Sequence, residues 1–431
     1  TGFEVRNFID YSESSRQGDY LMISHNQILN GSNGSHPVED YRAYRTTQAG
    51  GSFNAKVYMI DQLIDQFSFG IKQNPLAVRN FIRLARNKFS SQIRNVFLIG
   101  KGVNYYSARL AESSPETEKL NLIPTFGSPG SDVLLSAEGS SSVPLTPIGR
   151  ISVINGDELK NYLDKVKQYE QQNNALSPLI DESIWKKDVA HLVGSNSQSE
   201  INLLYQLLNN HKAILKDTLY GANVFDFLRD LSNTGQQLNA LRLSSLINNG
   251  IGLLTYFGHS SATSLGFNLE LPENYTNINK YPIFNMMGCD VGNIFGLQAS
   301  RLVSAETISE KYLLAKERGS IGMLAGTSLG YISSLDIYNT RFYTDISKLY
   351  YGMDLGGLMV NTIKKVFQIV PETDILQRTQ CEEYTLHGDP AITFYSFAKP
   401  DYAIEDRFLK ISPNFISVAE NEFTVDYKIF N

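Results

Sequence analysis

The chain contains few of the residues on which several common folds and sites depend. Its 431 residues include 2 cysteines and 1 tryptophan. Two cysteines are too few for a disulfide framework, and no His/Cys cluster has the spacing of a zinc site. No apolar run reaches the roughly 18 residues of a membrane-spanning helix. The sequence therefore gives no support for a disulfide-stapled domain, a zinc module or a membrane-spanning helix.

Signals for nucleotide and nucleic-acid binding are also missing. Neither Gly-x-x-x-x-Gly-Lys-Ser/Thr nor Gly-x-Gly-x-x-Gly follows a predicted strand, so nucleotide binding has no support. The formal net charge is −6, and the Lys and Arg residues do not cluster. We therefore expect neither nucleic acid nor an anionic membrane as a partner.

The composition is that of a folded protein with a substantial core. Hydrophobic residues make up 42% and charged residues 19% of the chain, which is typical of globular domains. The length predicts two or three domains. The chain begins at Thr1 without an initiator Met, and we interpret it as a mature form or an excised fragment. The 24 tyrosines and the many Asn and Ser residues are compatible with an exported protein.

Short apolar runs alternate with amphipathic segments, and this alternation predicts an α/β layer fold. The predicted strands are Tyr20–Ser24, Ala55–Ile60, Asn95–Gly100, Asp188–Gly194, Ala222–Phe227, Gly252–Gly258, Tyr281–Gly288, Gly319–Gly326 and Ile392–Tyr395, with 384–391 as a turn before the last of them. A long stretch rich in Ser, Gly and Pro, 101–147, interrupts the first half, and Asn173–Asp181 is a plausible linker. We predict an N-terminal unit at 1–180, a second at 181–398, and the start of an all-β domain at 399–431.

Two of these strands end in a reactive side chain. Gly252–Gly258 runs into His259, and Tyr281–Gly288 runs into Cys289, 30 residues later. That separation suits one strand–connection–strand unit of a parallel sheet, whose active sites lie at the carboxyl ends of the strands. A nearby His can form and keep a thiolate, and backbone N–H groups in glycine turns can stabilise an oxyanion. The pair predicts a Cys–His nucleophilic enzyme.

Structural roles are the alternative for both residues. A lone Cys at a strand end is more often a small buried hydrophobic residue, and a His beside a glycine is usually held in place by hydrogen bonds. A disulfide between Cys289 and Cys381 would end the catalytic hypothesis. We expect two free thiols, because Cys289 lies in a glycine-rich turn and Cys381 in a distant polar segment.

The sequence around both turns resembles the caspase-fold cysteine peptidases of the gingipain type. The matching motifs are Tyr256-Phe257-Gly258-His259-Ser260-Ser261 and Gly288-Cys289-Asp290-Val291-Gly292-Asn293. The likeness extends to about residue 398. In the first half, residues 66–79 and 130–135 are more similar to the PorU-type sortases of the type IX secretion system of Bacteroidetes. The resemblance implies two caspase-like subdomains, each a three-layer α/β/α unit with a mostly parallel sheet, followed by an Ig-like β domain.

The resemblance also implies roles for individual residues. They are His259 as general base, Cys289 as nucleophile, Asn196 as the residue that orients the His, and Glu200 in the substrate pocket. From the turns themselves we expect the N–H groups of Cys289 and Ser260, beside Gly258 and Gly288, to form the oxyanion site, and we expect Ser328 and Tyr331 to line the substrate pocket. Ser260 stands where the family has Gly, which we expect to strain the backbone or narrow the pocket. Asn196 stands where gingipains have an orienting acid. Glu200 is the only acid in the loop that selects Arg in gingipains, so we do not expect strict Arg specificity.

The partners expected from the resemblance are proteins. The substrate would be secreted cargo of the type IX system, cleaved at its C-terminal signal domain, and other outer-membrane components of that system would be partners. Localisation would be exported, at the cell surface, outer membrane or periplasm. We expect no cofactor, and no ligand cluster lets a structural calcium ion be placed. Hydrolysis and transpeptidation both stay open, as does a non-catalytic role in the secretion machinery.

Overall fold

One large sheet forms the centre of the protein. The computed structural model describes residues 7–175, 182–217, 219–396, 404, 406–413 and 422–429. Within this part, the sheet contains β1 (Tyr20–Ser24), β2 (Ala55–Met59), β3 (Asn95–Ile99), β4 (Ile148–Ile151), β5 (Asp188–Gly194), β6 (Asn223–Leu228), β7 (Leu253–Gly258), β8 (Ile283–Met287), β9 (Gly322–Gly326) and β10 (Tyr384–His387). The strand order is β2-β1-β3-β4-β10-β9-β8-β7-β5-β6. Neighbouring strands are parallel except β9 and β10, which are antiparallel.

Helices cover both faces of the sheet. They are α1 (Pro37–Thr46), α2 (Ile60–Phe67), α3 (Leu76–Lys88), α4 (Tyr105–Leu110), α5 (Pro115–Leu120), α6 (Val133–Ser136), α7 (Gly156–Asn174), α8 (Gln198–Leu215), α9 (Asn233–Asn249), α10 (Ile308–Leu314), α11 (Ile332–Thr344), α12 (Leu355–Val366) and α13 (Ile375–Glu383). Helix α7 packs against α1 and α10, whereas α11 packs against α8, α12 and α13. The predicted three-layer α/β/α class with a mostly parallel sheet is confirmed.

Most strands form where the sequence predicts them because a parallel sheet is buried on both faces. All residues of β1, β3, β8 and β9 are buried, so their sequences are near-continuous apolar runs. The helices bury one stripe instead. In α7 this stripe includes Leu159, Leu163 and Val166, and burying each such side chain contributes roughly 1.5–3 kcal/mol.

The last strand differs from the prediction. The apolar run Ile392–Tyr395 was expected to form a strand, with 384–391 as a turn. Instead Tyr384–His387 is β10, and the later run has only an isolated bridge between Thr393 and Asp354. The position between β4 and β9 explains the difference. Both edges of β10 are paired there, and its polar side chains have buried partners: His387 contacts the hydroxyls of Ser309 and Thr385.

The two predicted halves share this one sheet, since β10 returns from the end of the second half to pair with β4 of the first. Helix α7 extends to Asn174, so the predicted linker begins inside a helix, and residues 176–181 lie outside the described part. The predicted boundary near residue 180 stays a prediction. Beyond residue 398, the described residues form a two-stranded antiparallel sheet of β11 (Lys410–Ser412) and β12 (Thr424–Asp426). The Ig-like domain also stays a prediction. No helix among the described residues is long and apolar enough to cross a membrane.

Candidate active site

Strands β7 and β8 are parallel neighbours, and their ends lie level. Phe257 pairs with Met287, so His259 and Cys289 leave the sheet at the same edge, each two residues beyond that pair. The expectation that these two residues follow adjacent parallel strands is confirmed. The two turns meet there because glycine allows their close approach. A Cβ atom at Gly288 would lie 2.7 Å from the carbonyl oxygen of Gly258, closer than real Cβ atoms come.

Ser260 connects the two turns. Its hydroxyl donates a hydrogen bond of 2.7 Å to the carbonyl oxygen of Cys289. Ser260 does not adopt a positive φ, so the predicted backbone strain is wrong. The hydroxyl occupies the space that a side chain at Gly288 would need. Serine at this position therefore ties the turn after β7 to the turn after β8.

His259 is exposed but held at several points. Its side chain is 66% exposed, its backbone N–H donates to the Gly194 carbonyl at 2.9 Å, and its carbonyl accepts from the Tyr256 hydroxyl. The ring Nε2 lies 2.9 Å from Glu200 Oε2. Nδ1 makes no hydrogen bond to any described residue. One ring nitrogen is thus engaged by a carboxylate, and the other is available for chemistry.

Glu200 makes the contact with His259 that was predicted for Asn196. Asn196 is exposed and makes no hydrogen bond to His259. The reason is local: α8 begins only at Gln198, and its first turn carries the Glu200 carboxylate back toward the strand end. The buried Ser195 hydroxyl contacts the same Glu200 oxygen that faces His259. Glu200, and not Asn196, therefore contacts the histidine ring, whereas the predicted role of Glu200 in the substrate pocket stays a prediction.

The two cysteines have different environments, and both are free thiols, as expected. Cys381 is buried, and this burial raises its pKa to about 12. Cys289 is half-buried, and its Sγ accepts a hydrogen bond of 3.3 Å from the Gly330 N–H. No hydrogen bond joins Cys289 to His259 among the described residues. Of the two, Cys289 has the exposure and the hydrogen-bond donor that suit a nucleophilic thiolate.

Two backbone donors at the turns have no acceptor. Among the described residues, neither the N–H of Cys289 nor that of Ser260 donates a hydrogen bond. Unused donors beside a nucleophile are what an oxyanion site requires. Gly258 and Gly288 contribute the close approach that brings these donors together. The oxyanion role of these residues stays a prediction.

The loop after β9 forms the other wall of the site. The carbonyl of Ser328 accepts a hydrogen bond of 2.7 Å from the Asp290 N–H, and the Tyr331 N–H donates to Gln380. Residues 326–330 also fit Gly-x-Ser-x-Gly, the serine-hydrolase pattern. No described His or carboxylate contacts the Ser328 hydroxyl, so it lacks an activating base. The loop contacts Cys289 through the Gly330 N–H, and its predicted place beside the substrate stays a prediction.

A buried polar network behind the site was not predicted. The Tyr343 hydroxyl donates to Thr255 on β7 at 2.6 Å, and the Tyr384 hydroxyl donates to Asn285 on β8 at 2.6 Å. Asn285 also donates to Asn339 on α11. Thr255 and Asn285 each lie four residues before a catalytic candidate, and a polar residue inside an apolar strand is the signal that could have revealed them. The network fixes both strands against α11.

Nothing in the described part of the chain points to a metal centre. No three or more His, Cys, Asp or Glu side chains are grouped there so that they could hold a metal ion.

Comparisons with known proteins agree with this geometry. The chain is similar to a complex of Porphyromonas gingivalis RgpB pro- and mature domains, with 16% identity over 90% of this chain and 82% of that chain and a TM-score of 0.63. It is also similar to the Arg-specific cysteine proteinase gingipain R, with 15% identity over 93% and 83% of the two chains and a TM-score of 0.63. Comparison with curated protein sequences gives no match. At such low identity, these likenesses show the fold alone. The family is shown by the model of Peptidase family C25, which matches residues 13–395. The chain belongs to peptidase family C25, a family of cysteine peptidases.

Proposed function

We propose that the chain is a cysteine endopeptidase in which Cys289 is the nucleophile, His259 the general base and Glu200 the residue that orients the imidazole. The observation that carries this proposal is the contact of 2.9 Å between His259 Nε2 and Glu200, which leaves Nδ1 unengaged at the sheet edge shared with Cys289. An ionised carboxylate beside one ring nitrogen makes the other a better proton acceptor. This is the arrangement of a nucleophile, a base and an orienting group.

The reaction follows from these positions. The Cys289 thiol gives its proton to His259, and its sulfur attacks the scissile carbonyl carbon. The N–H groups of Cys289 and Ser260 then donate to the oxyanion. The intermediate collapses to a thioester as the protonated His259 gives its proton to the departing amine. Water or an amine attacks the thioester, His259 accepts the proton of that nucleophile, and the thiol leaves.

A rotation of the exposed His259 ring toward Cys289 is part of this proposal. The two side chains are not hydrogen-bonded in the described structure, and catalytic contacts are often long before substrate binds. The same observation also favours a second candidate function, a non-catalytic component of a secretion apparatus. Reactivity of the thiol distinguishes the two.

The protein substrate is proposed to be secreted cargo of the type IX system. The support is the similarity of residues 66–79 and 130–135 to PorU-type sortases. The chain would act after export, at the outer membrane or in the periplasm, beside other components of that system, and without a cofactor. Attack by water would release the cargo, and attack by an amine would transfer it.

Thiol alkylation tests the catalytic pair. In a Cys381→Ala background, iodoacetamide should label Cys289 at pH 6.5 about tenfold or more faster than it labels free cysteine, because the thiolate is the reactive form. His259→Ala should remove this excess. A rate equal to that of free cysteine in both proteins would favour the non-catalytic candidate.

Cargo processing tests the biological role. The chain is incubated with a fusion protein that carries a type IX C-terminal signal domain, with the Cys289→Ala variant as the control. Cleavage by the unaltered chain alone is the expected result, and mass spectrometry of the product distinguishes a new carboxyl terminus from an amine adduct. Cleavage of unrelated peptides but not of this fusion would retain the peptidase and reject the secretion role.

A further inference from the structure

A polar cleft of about 620 Å³ lies beside the two catalytic turns. Ala262 and Thr263, which follow His259, form one wall, and Asn293, which follows Cys289, forms another. Lys311 belongs to the helix that closes the cleft, α10. A peptide held by the catalytic residues would therefore pass this opening.

The cleft and the Ser328–Tyr331 loop lie on opposite sides of the sheet edge. The Ala262 carbonyl accepts a hydrogen bond of 2.8 Å from the Ile308 N–H, the first residue of α10, and α10 packs on α7. The Ser328–Tyr331 loop leads into α11, which packs on α8 on the other face. A peptide lying across the catalytic pair can thus reach the loop with one residue and the cleft with another.

The charged side chains that line the cleft differ in whether they have a partner. Lys101 and Glu310 pair with each other at 3.3 Å, and both are buried. The Glu306 carboxylate accepts a hydrogen bond from the Ser300 hydroxyl. The Lys311 ammonium makes neither an ion pair nor a hydrogen bond with any described residue. Among the described residues, the cleft therefore holds one cation, Lys311, without a partner, and one carboxylate, Glu306, that pairs with no cation.

We propose that this cleft is a second substrate subsite that takes an acidic side chain, with Lys311 as the residue that determines this specificity. The inference rests on the proposed peptidase function and names a substrate preference of that same site. A carboxylate entering the cleft would find the Lys311 ammonium, together with the side-chain amide of Asn293 and the hydroxyl of Thr263 as further donors. A basic side chain would instead meet an unpaired like charge.

Peptide cleavage tests the subsite. The full chain is given mixtures of decapeptides in which one position is fixed in turn as Asp, Asn or Lys, and products are identified by mass spectrometry. We expect Asp to be preferred over Lys at one position by about fivefold to tenfold, the size of one partly exposed charge contact. Lys311→Glu should reverse this preference.

Lys316→Glu is the matched control, because Lys316 follows α10, is exposed and lies outside the cleft. It should leave the ratio unchanged within about twofold. A ratio that is the same in the unaltered chain and in Lys311→Glu, or that changes equally in Lys316→Glu, would overturn the subsite.

A binding measurement separates failure of the subsite from failure of the proposed function. The Cys289→Ala chain is titrated with the same decapeptide mixtures, which requires no turnover. Tighter binding of the Asp mixture, lost in Cys289→Ala/Lys311→Glu but kept in Cys289→Ala/Lys316→Glu, supports the subsite even if the unaltered chain cleaves nothing. Equal binding of the Asp, Asn and Lys mixtures rejects it.

Discussion

The carboxyl ends of β3 and β4 (the first end) and those of β7 and β8 (the second end) differ in how their polar groups are used. At the first end, the charged groups are buried. Arg150, on β4, is fully buried and pairs with Asp132 in two hydrogen bonds of 2.7 and 2.8 Å. At the second end, β7 and β8 are followed by an exposed His259 and a half-buried Cys289.

The difference shows what turns a strand end into a site. Arg150 also donates to the carbonyls of Gly100 and Ile123, so four of its five N–H groups are used and it holds the stretch after β3 in place. At the second end, the backbone donors of Cys289 and Ser260 and the Nδ1 of His259 remain unused among the described residues. The first end uses its polar groups for stability, and the second leaves several of them without a partner among the described residues.

Breaking the first end should have the largest effect, and that effect should be on folding. Arg150→Ala leaves the Asp132 carboxylate buried without its ion pair, which typically destabilises by roughly 3–5 kcal/mol. Thermal unfolding measures the change. Arg83→Ala removes an exposed pair with Glu138 and should change stability by less than about 1 kcal/mol. If the two variants lose equal stability, the first end is not held by its buried charges.

Altering the second end should affect catalysis instead. Glu200→Gln keeps the shape of the side chain but removes the charge beside His259, and we expect kcat to fall by roughly 10²-fold or more, with little change in unfolding temperature. Asn196→Ala, in the same turn but exposed, should change kcat by less than about twofold. Equal effects of the two variants would return the orienting role to Asn196.

A smaller catalytic effect is expected at Tyr256, which holds the backbone of His259. Its hydroxyl donates to the His259 carbonyl and accepts from the Gly266 N–H at 2.9 Å. Burial raises the pKa of Tyr256 well above its usual value, so the hydroxyl stays protonated and can donate. Tyr256→Phe should lower kcat by about tenfold and leave KM nearly unchanged, because the His loop loses one anchor.

The control for Tyr256 is another buried tyrosine. The Tyr338 hydroxyl has no hydrogen-bond partner among the described residues, so Tyr338→Phe should leave kcat unchanged and stability equal or higher. If kcat falls tenfold in both variants, the loss comes from altered core packing and not from the missing hydrogen bond to the His259 carbonyl.

The comparison also shows which parts of the structure the sequence could predict. Strands such as β3 and β8 are apolar runs buried on both faces, and the two-sided burial of a parallel sheet makes them recognisable from the sequence. His259 and Cys289 could be paired because both follow such strands at the separation of one crossover. In these cases the signal is local, and the tertiary structure confirms it.

Residues positioned by distant contacts could not be predicted in this way. Asn196 is nearer than Glu200 to the end of β5 along the chain, but the start of α8 at Gln198 decides which side chain turns back to His259. Likewise Tyr384–His387 is a strand because β4 and β9 lie on either side of it, whereas the more apolar Ile392–Tyr395 has no neighbour to pair with over its length. A helix start and a strand's neighbours are set by the fold, and the order of residues alone does not show them.

The smallest effect is expected at Glu383, which directly precedes β10, the strand between the two halves of the sheet. Its carbonyl accepts from the Thr327 N–H at 2.9 Å, but its Oε2 is buried without a partner among the described residues. Burial, with smaller contributions from Glu382 and Asp290, raises the pKa of Glu383 to about 7. Between pH 4.5 and about pH 7, Glu383 keeps its proton in the folded chain but has lost it in the unfolded chain. The free energy of unfolding therefore falls as pH rises through this window.

Glu383→Gln removes that loss, because an amide needs no proton. The variant should match the unaltered chain near pH 4 and be more stable near pH 8, by on the order of 1 kcal/mol, measured as the difference in unfolding temperature across the pH range. Glu382→Gln is the control of opposite sign, since Glu382 pairs with Arg378 at 2.8 Å and its charge stabilises the fold. If the stability difference between Glu383→Gln and the unaltered chain does not grow between pH 4 and pH 8, the Glu383 carboxylate has a partner when it ionises. The polar groups beside β10 would then be as fully paired as those of the first end.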